Sequence, residues 1–260
     1  MRGAWLLATL SVAQCATPAW ASAPPPVRVE ITGEVQHPGA RQLPDGARFA
    51  DAVLAAMPTA LAYPLGAAVL RPSALPEQRR RKAGVAYDLE AIGRDPGVAV
   101  AMQVRASVLR QWLDALPVTG RVPVQLDARR LEVDVRSNRI LAEGDRFVYP
   151  RRPATIRIVG AVTQSCTLAH EPLRDAIEYL RDCAIDRAAA DRNILYVIQP
   201  DGRVQPLGIA PWNRSAPQAL APGAMVYVPL DEAALGAAGA SLNRDVADFL
   251  ATQPLSAETP

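Results

Sequence analysis

Val27-Arg-Val-Glu-Ile-Thr-Gly33-Glu-Val35, followed by a turn and the apolar segment Phe49 to Leu54, returns later in the chain. The second copy reads Thr155-Ile-Arg-Ile-Val-Gly160-Ala-Val162, followed by Leu173 to Leu180. Each copy closes on a matching tail, Leu141-Ala-Glu-Gly144-Asp145-Arg-Phe-Val-Tyr-Pro150 and Leu220-Ala-Pro-Gly223-Ala-Met-Val-Tyr-Val-Pro229. In both tails a glycine turn feeds an alternating strand that stops at proline. Repetition of strand, glycine, strand, helix and final strand describes two small domains of one type, and an internal repeat outweighs any single-residue signal.

Within the first copy, Val27, Val29 and Ile31 alternate with Arg28, Glu30 and Thr32. That is the period of a strand with one buried face. His37-Pro-Gly39 and Pro44-Asp-Gly46 read as turns around a short second strand, because proline fixes φ and glycine accepts positive φ. Phe49, Ala52, Val53 and Ala56 fall at helical spacing, limited by Pro58, and Ala67 to Arg71 reads as a third strand. From about 73 to 116 the chain departs from the repeat. Leu75, Leu89 and Ile92, then Val104, Val108, Leu109, Trp112 and Leu116, form two helical stripes separated by Asp95-Pro-Gly97. A helical hairpin inserted into the first domain is expected. Val122, Val124 and Leu126 resume strand alternation, and Leu131, Val133 and Val135 predict a further strand.

The second domain, about 154 to 230, follows the linker Arg151-Arg-Pro153 without such an insertion, so the first domain spans about 24 to 153. Its helix is expected over Leu173 to Asp182, and Ile194 to Ile198 and Val204 to Leu207 flank the turn Pro200-Asp-Gly202. From Asp231, a suitable N-cap, Leu235, Leu242, Val246, Phe249 and Leu250 make an apolar stripe at helical spacing. This amphipathic segment, 231 to 260, ends in a tail, Gln253 to Pro260, that reads as frayed.

Arg2, the apolar run Trp5 to Ala13 and Ala21-Ser22-Ala23 have the layout of a secretory leader over 1 to 23, cleaved near Ala23. The apolar run is shorter than the roughly 20 residues that span a bilayer. Cys15 raises lipidation, but Gln14 stands where a small residue is needed. Cleavage leaves Cys166 and Cys183, for which only one intramolecular pairing exists, so a disulfide is expected. The formal net charge is +2, without the strong positive field that nucleic-acid binding requires. The run Arg79-Arg-Arg-Lys82 reads as a solvated loop or helix face.

The chain has 2 histidines, His37 and His170, both in turn-like settings with no nucleophile motif beside them. No metal spacing is present, and neither metal nor cofactor is expected. The nearest carboxylate pairs are Glu143 with Asp145, Asp231 with Glu232, and Asp175 with Glu178. They read as turn, cap and helix-face residues rather than as two acids facing across a glycosidase cleft. Five residues are candidates for binding. Trp212 and Asn213 sit in a loop, and the Trp212 ring could stack on a sugar. Trp112 is on an apolar helical stripe, with core packing as the alternative, and Arg105 and Arg110 on the same helix could meet anionic sugars or simply face solvent.

The tandem openings and the Leu-x-x-Gly-Asp tail resemble the soluble-ligand-binding β-grasp units of polysaccharide export proteins. The fuller arrangement adds the leader, the helical insertion, Tyr196-Val-Ile-Gln-Pro-Asp-Gly202, Pro211-Trp-Asn213 and the C-terminal amphipathic helix. It resembles the GfcC family of capsule biosynthesis proteins, with Ala224 departing from the Gly-Asp pair of the first tail. The resemblance implies an α+β fold of two tandem β-grasp, ubiquitin-like domains. It further implies a non-enzymatic periplasmic protein of capsule or exopolysaccharide assembly and export, whose partner is polysaccharide, the outer-membrane export channel or another capsule protein. The alternative is a periplasmic enzyme that modifies or cleaves the polysaccharide. The C-terminal helix is expected to dock either on its own domains or on a partner.

Overall fold

A computed structural model describes residues 24–235 and 237–255; the expected leader, Cys15 included, lies outside the described residues. The fold is mixed α+β with two five-stranded sheets. The front sheet is built from β1 (Val27–Gly33), β2 (Gly39–Leu43), β3 (Ala68–Leu70), β4 (Arg121–Val122) and β5 (Arg146–Tyr149), in the order β2-β1-β5-β3-β4. The rear sheet contains β6 (Thr155–Gly160), β7 (Cys166–Ala169), β8 (Ile194–Ile198), β9 (Val204–Gly208) and β10 (Met225–Val228), in the order β7-β6-β10-β8-β9. The two orders are the same. In each sheet the first and last strands run parallel at the centre, and every other pair is antiparallel.

The repeated glycine is required by that central pairing. Gly33 has φ +92° and Gly160 φ +102°, and a Cβ there would lie 2.0 Å from the Tyr149 carbonyl oxygen and 2.2 Å from that of Val228. Only glycine tolerates this approach together with positive φ. The following amides, Glu34 and Ala161, donate to those same carbonyls at 2.8 Å.

The front core lies between the sheet and α1 (Phe49–Ala56), which buries Phe49, Ala52, Val53 and Ala56. The Phe49 and Phe147 rings meet edge to face at 5.7 Å. The segment read as a strand around Leu131 is instead a short helix, α4 (Ala128–Val133). Asp127 caps it by accepting from the Arg130 amide at 2.9 Å. Only Leu131 turns inward, while Val133 is 82% and Val135 69% exposed. Val122, Val124 and Leu126 do alternate inward, but the ladder stops at Val122. Pro123 comes next and has no N–H to donate.

The inserted hairpin, α2 (Leu75–Arg94) and α3 (Val100–Ala115), leaves the front sheet in sequence but packs on the rear one. Val85, Leu89, Met102, Ala106, Leu109 and Leu113 are buried in the same cluster as Ile156, Tyr179 and Phe249. The inward face of α3 differs from the expected stripe, since Val104 and Val108 point outward. The rear helix is shorter than expected. It comprises α5 (Ala176–Tyr179) and a 3-10 turn (Leu180–Asp182), because Leu173 stands exposed at φ +65° and breaks the first turn. Cys166 and Cys183 are bonded and tie β7 to the chain leaving that turn.

The C-terminal segment forms α6 (Glu232–Leu235) and α7 (Ala237–Leu250), and Asp231 caps it by accepting from the Ala233 amide at 3.0 Å. Leu242, Val246, Phe249 and Leu250 are buried in the rear core, so the helix docks on its own chain. Asn243 fixes its register. It accepts from the Tyr227 hydroxyl at 3.0 Å and the Leu230 amide at 3.1 Å, and donates to the Leu230 carbonyl at 2.8 Å. The tail beyond it is held rather than frayed as far as Leu255. Gln253 Nε2 donates to the Pro117 carbonyl at 3.1 Å. Added Cβ atoms at Gly66 and Gly223 would lie 2.7 and 3.0 Å from Leu255 Cδ1, so Leu255 touches both halves of the molecule. Residues 256–260 lie outside the described residues.

Candidate functional site

The two sheets meet around β4. Gly120 has φ +75°, and a Cβ there would fall 2.6 Å from the Arg71 carbonyl oxygen. Gln78, buried on α2, accepts from the Gly120 amide at 2.8 Å and donates to the Arg121 carbonyl at 2.9 Å. The Arg121 side chain then crosses to the other half. Nη1 donates to the carbonyls of Ala251 (3.3 Å) and Gln253 (3.0 Å), and Nη2 to that of Pro200. Arg121 is 3% exposed, and its Nε is buried without a hydrogen-bond partner. Burial pushes its pKa down to about 10, opposed by the charge of Asp201.

Two clefts flank Pro123 at this junction. The larger, about 370 Å³, is lined by Arg81, Arg121, Arg139 and Arg244 together with Glu77 and Asp248. The smaller, about 270 Å³, is lined by Arg130, Arg203, Asp134 and Asp201 beside Val124 and Leu131. Every carboxylate here is engaged. Glu77 faces Arg81 at 3.5 Å, Asp248 faces Arg244 at 3.1 Å, and Asp201 binds Arg203 at 2.8 Å and Gln125 at 2.6 Å. The Ser137 hydroxyl and amide hold the exposed Asp134 carboxyl below its ordinary range. Among the described residues, Arg121, Arg130 and Arg139 have no carboxylate within ion-pair distance.

The residues singled out from the sequence lie elsewhere, and only Arg105 and Trp112 among them share a recess. Arg105 pairs with Asp186 at 2.8 Å and donates to the Val162 carbonyl, stitching α3 to the rear sheet. Trp112 is half-buried against the rear core and shares a recess of about 50 Å³ with Arg105. Arg110 faces Glu90 at 3.5 Å and Asp114 at 3.8 Å. Asn213 accepts from the Ala210 amide and donates to the Asn193 carbonyl, both at 3.0 Å, and thereby shapes its own loop. Trp212 stands 77% exposed at the tip of that loop. The six cleft arginines come from six separate segments, so no local spacing announces them. The one trace is the run Arg79-Arg-Arg-Lys82, which supplies Arg81 to the cleft. Its Lys82 donates to the Asp114 and Leu116 carbonyls at the end of α3.

No helix among the described residues is long and apolar enough to cross a membrane. No cluster of three or more His, Cys, Asp or Glu among them could hold a metal ion. Residues 164–254 match the family model described as capsule biosynthesis GfcC C-terminal. That segment holds strands β7 to β10 of the rear sheet and the docked helix, and over it the chain is similar to the GfcC family. It is similar to the uncharacterized protein YjbG of Escherichia coli (strain K12), at 29% identity over 185 residues that cover 71% of this chain and 74% of that protein.

Proposed function

We propose that this chain is a non-enzymatic periplasmic component of capsule or exopolysaccharide assembly and export, made of two tandem β-grasp domains that hold glycan or an export-machinery protein. The match of residues 164–254 to the capsule biosynthesis family model supports the capsule role. The identical order of the two sheets and the shared parallel centre support the tandem β-grasp reading. The leader layout of residues 1–23 and the Cys166–Cys183 bridge suit an oxidising compartment outside the cytoplasm.

The observation that carries the non-enzymatic reading is the state of the carboxylates in the junction clefts. Glu77, Asp248 and Asp201 each face an arginine, and Asp134 is held by Ser137. General acid catalysis on a glycosidic bond needs two carboxyl groups facing each other across the scissile bond at a defined separation, whereas each of these is turned to a partner of its own. Outside the clefts, Trp212 is the residue best placed to stack on a sugar. Arg105, Arg110 and Trp112 support the hairpin instead. The test is to titrate the secreted, disulfide-bonded protein with the capsule glycan of its own bacterium and to follow glycan chain length. Binding with unchanged length is expected, and shortened chains would overturn the reading.

A further inference from the structure

We infer that the larger junction cleft is an oxyanion site for an acidic saccharide, with Arg121 at its base and Arg139 and Arg81 gripping a carboxylate or phosphate carried on the sugar. The inference rests on the glycan-binding reading above and names the chemistry of the ligand. Three observations carry it. Four arginines and two carboxylates line the cleft, and Asp245 stands 3.9 Å from Arg81, so one positive charge remains in excess. Arg121 holds a buried guanidinium whose hydrogen bonds all go to carbonyl oxygens, with Nε left without any partner, and Asp201, whose charge acts on it, is itself paired with Arg203. Buried polar groups in folded proteins are nearly always satisfied, and a buried cation without a counter-ion is costly. Arg139, exposed on the same lining, has no acidic partner among the described residues.

A planar guanidinium offers paired N–H donors that match the two oxygens of a carboxylate or phosphate. A neutral sugar would leave the excess charge of the cleft uncompensated. The neighbouring cleft across Pro123 sets two arginines, Arg130 and Arg203, against two carboxylates, Asp134 and Asp201. Arg130 there donates only to Gln125, while the apolar Val124 and Leu131 line the same space. A saccharide of a few residues could therefore lie across Pro123 with charged groups over Arg139 and Arg130 in turn.

The test is calorimetric titration of the full secreted chain with a short oligogalacturonate and with a neutral cello-oligosaccharide of equal length. Glucose 1-phosphate against glucose separates phosphate from carboxylate. The acidic member of at least one pair should bind about tenfold tighter than its neutral counterpart and weaken with added salt. Arg139→Gln should cost about tenfold in that affinity, Arg130→Gln less, and Arg110→Gln, outside the cleft, nothing. Arg139 and Arg130 are exposed, so both variants should keep the fold, as far-UV circular dichroism would verify. Equal binding of acidic and neutral members, or acidic binding indifferent to both cleft variants, would overturn the inference. The capsule glycan of the same bacterium distinguishes the two levels. If it binds wild type and Arg139→Gln alike, only the charge assignment fails, whereas its failure to bind at all removes the glycan reading beneath it.

Discussion

The front and rear sheets are built to one plan but are stabilised by different means. In the front, Arg71 follows β3 and faces Asp145 ahead of β5, with Nε–Oδ1 at 2.8 Å and Nη2–Oδ2 at 2.5 Å. Asp145 is fully buried and also accepts from the Ala142 amide at 2.9 Å. At the matching register of the rear sheet stand Gln199 and Ala224. There the ion pair gives way to a neutral amide, which accepts from the Ala221 amide at 3.2 Å and donates to the Ala219 carbonyl at 3.3 Å. The front has its own helix and a small core. The rear, whose own helix is one turn, borrows the hairpin from the front half and the C-terminal α7, and adds a disulfide. The same backbone plan thus needs apolar cover, and that cover comes from wherever the chain can supply it.

The comparison breaks most severely at the shared glycine. Gly33→Ala and Gly160→Ala should each cost on the order of 5 kcal/mol or abolish folding, because the new Cβ meets a paired carbonyl while φ stays positive. Expression yield and urea denaturation would check this. If one of the two is tolerated, the halves do not share the constraint. Next comes the ion pair. Arg71→Ala leaves Asp145 buried and uncompensated, at a cost of about 3–5 kcal/mol. The double variant Arg71→Gln with Asp145→Ala, which copies the rear pair, should recover most of that loss in the same denaturation assay.

Leu89→Ala, in the hairpin, should cost about 3 kcal/mol as a buried cavity. Hydrogen exchange should show the loss in β8 and β10 before β1 and β5, although the residue precedes β4 in sequence. Reducing the Cys166–Cys183 bridge, or Cys166→Ala with Cys183→Ala, should cost about 3 kcal/mol in the chain-entropy account of a loop this size. The readout is a lower thermal midpoint for the rear half alone. Trp212→Ala should shift stability by less than about 0.5 kcal/mol, since its ring rests in solvent. Any change in glycan affinity there would report contact rather than folding.

Much of this architecture was legible in the chain. Alternation fixed β1, the helical spacing of Phe49, Ala52, Val53 and Ala56 fixed α1, and the repeated strand-glycine opening marked the first strand of each sheet. The errors fall where local pattern is short or context decides. Leu131, Val133 and Val135 alternate like a strand, yet five residues cannot distinguish strand from helix, and the Asp127 cap settles it. Val104 and Val108 look like core, but the hairpin turns its Met102, Ala106, Leu109 and Leu113 face to the rear sheet. The candidate site was the least legible part. Arg81, Arg121, Arg130, Arg139, Arg203 and Arg244 are scattered over the chain and meet only after both halves have packed.

By itself the sequence determined the duplication, the strand and helix periods, the repeated glycine and the single cysteine pairing. Each of these is a constraint between near neighbours or between repeated copies, so it is written in spacing. Tertiary structure alone decided that the front hairpin covers the rear core, that the C-terminal helix docks on its own chain, and that a buried Arg121 sits beneath an arginine-lined cleft. Those outcomes depend on which apolar faces find each other across long loops, and burial acts without regard to order along the chain.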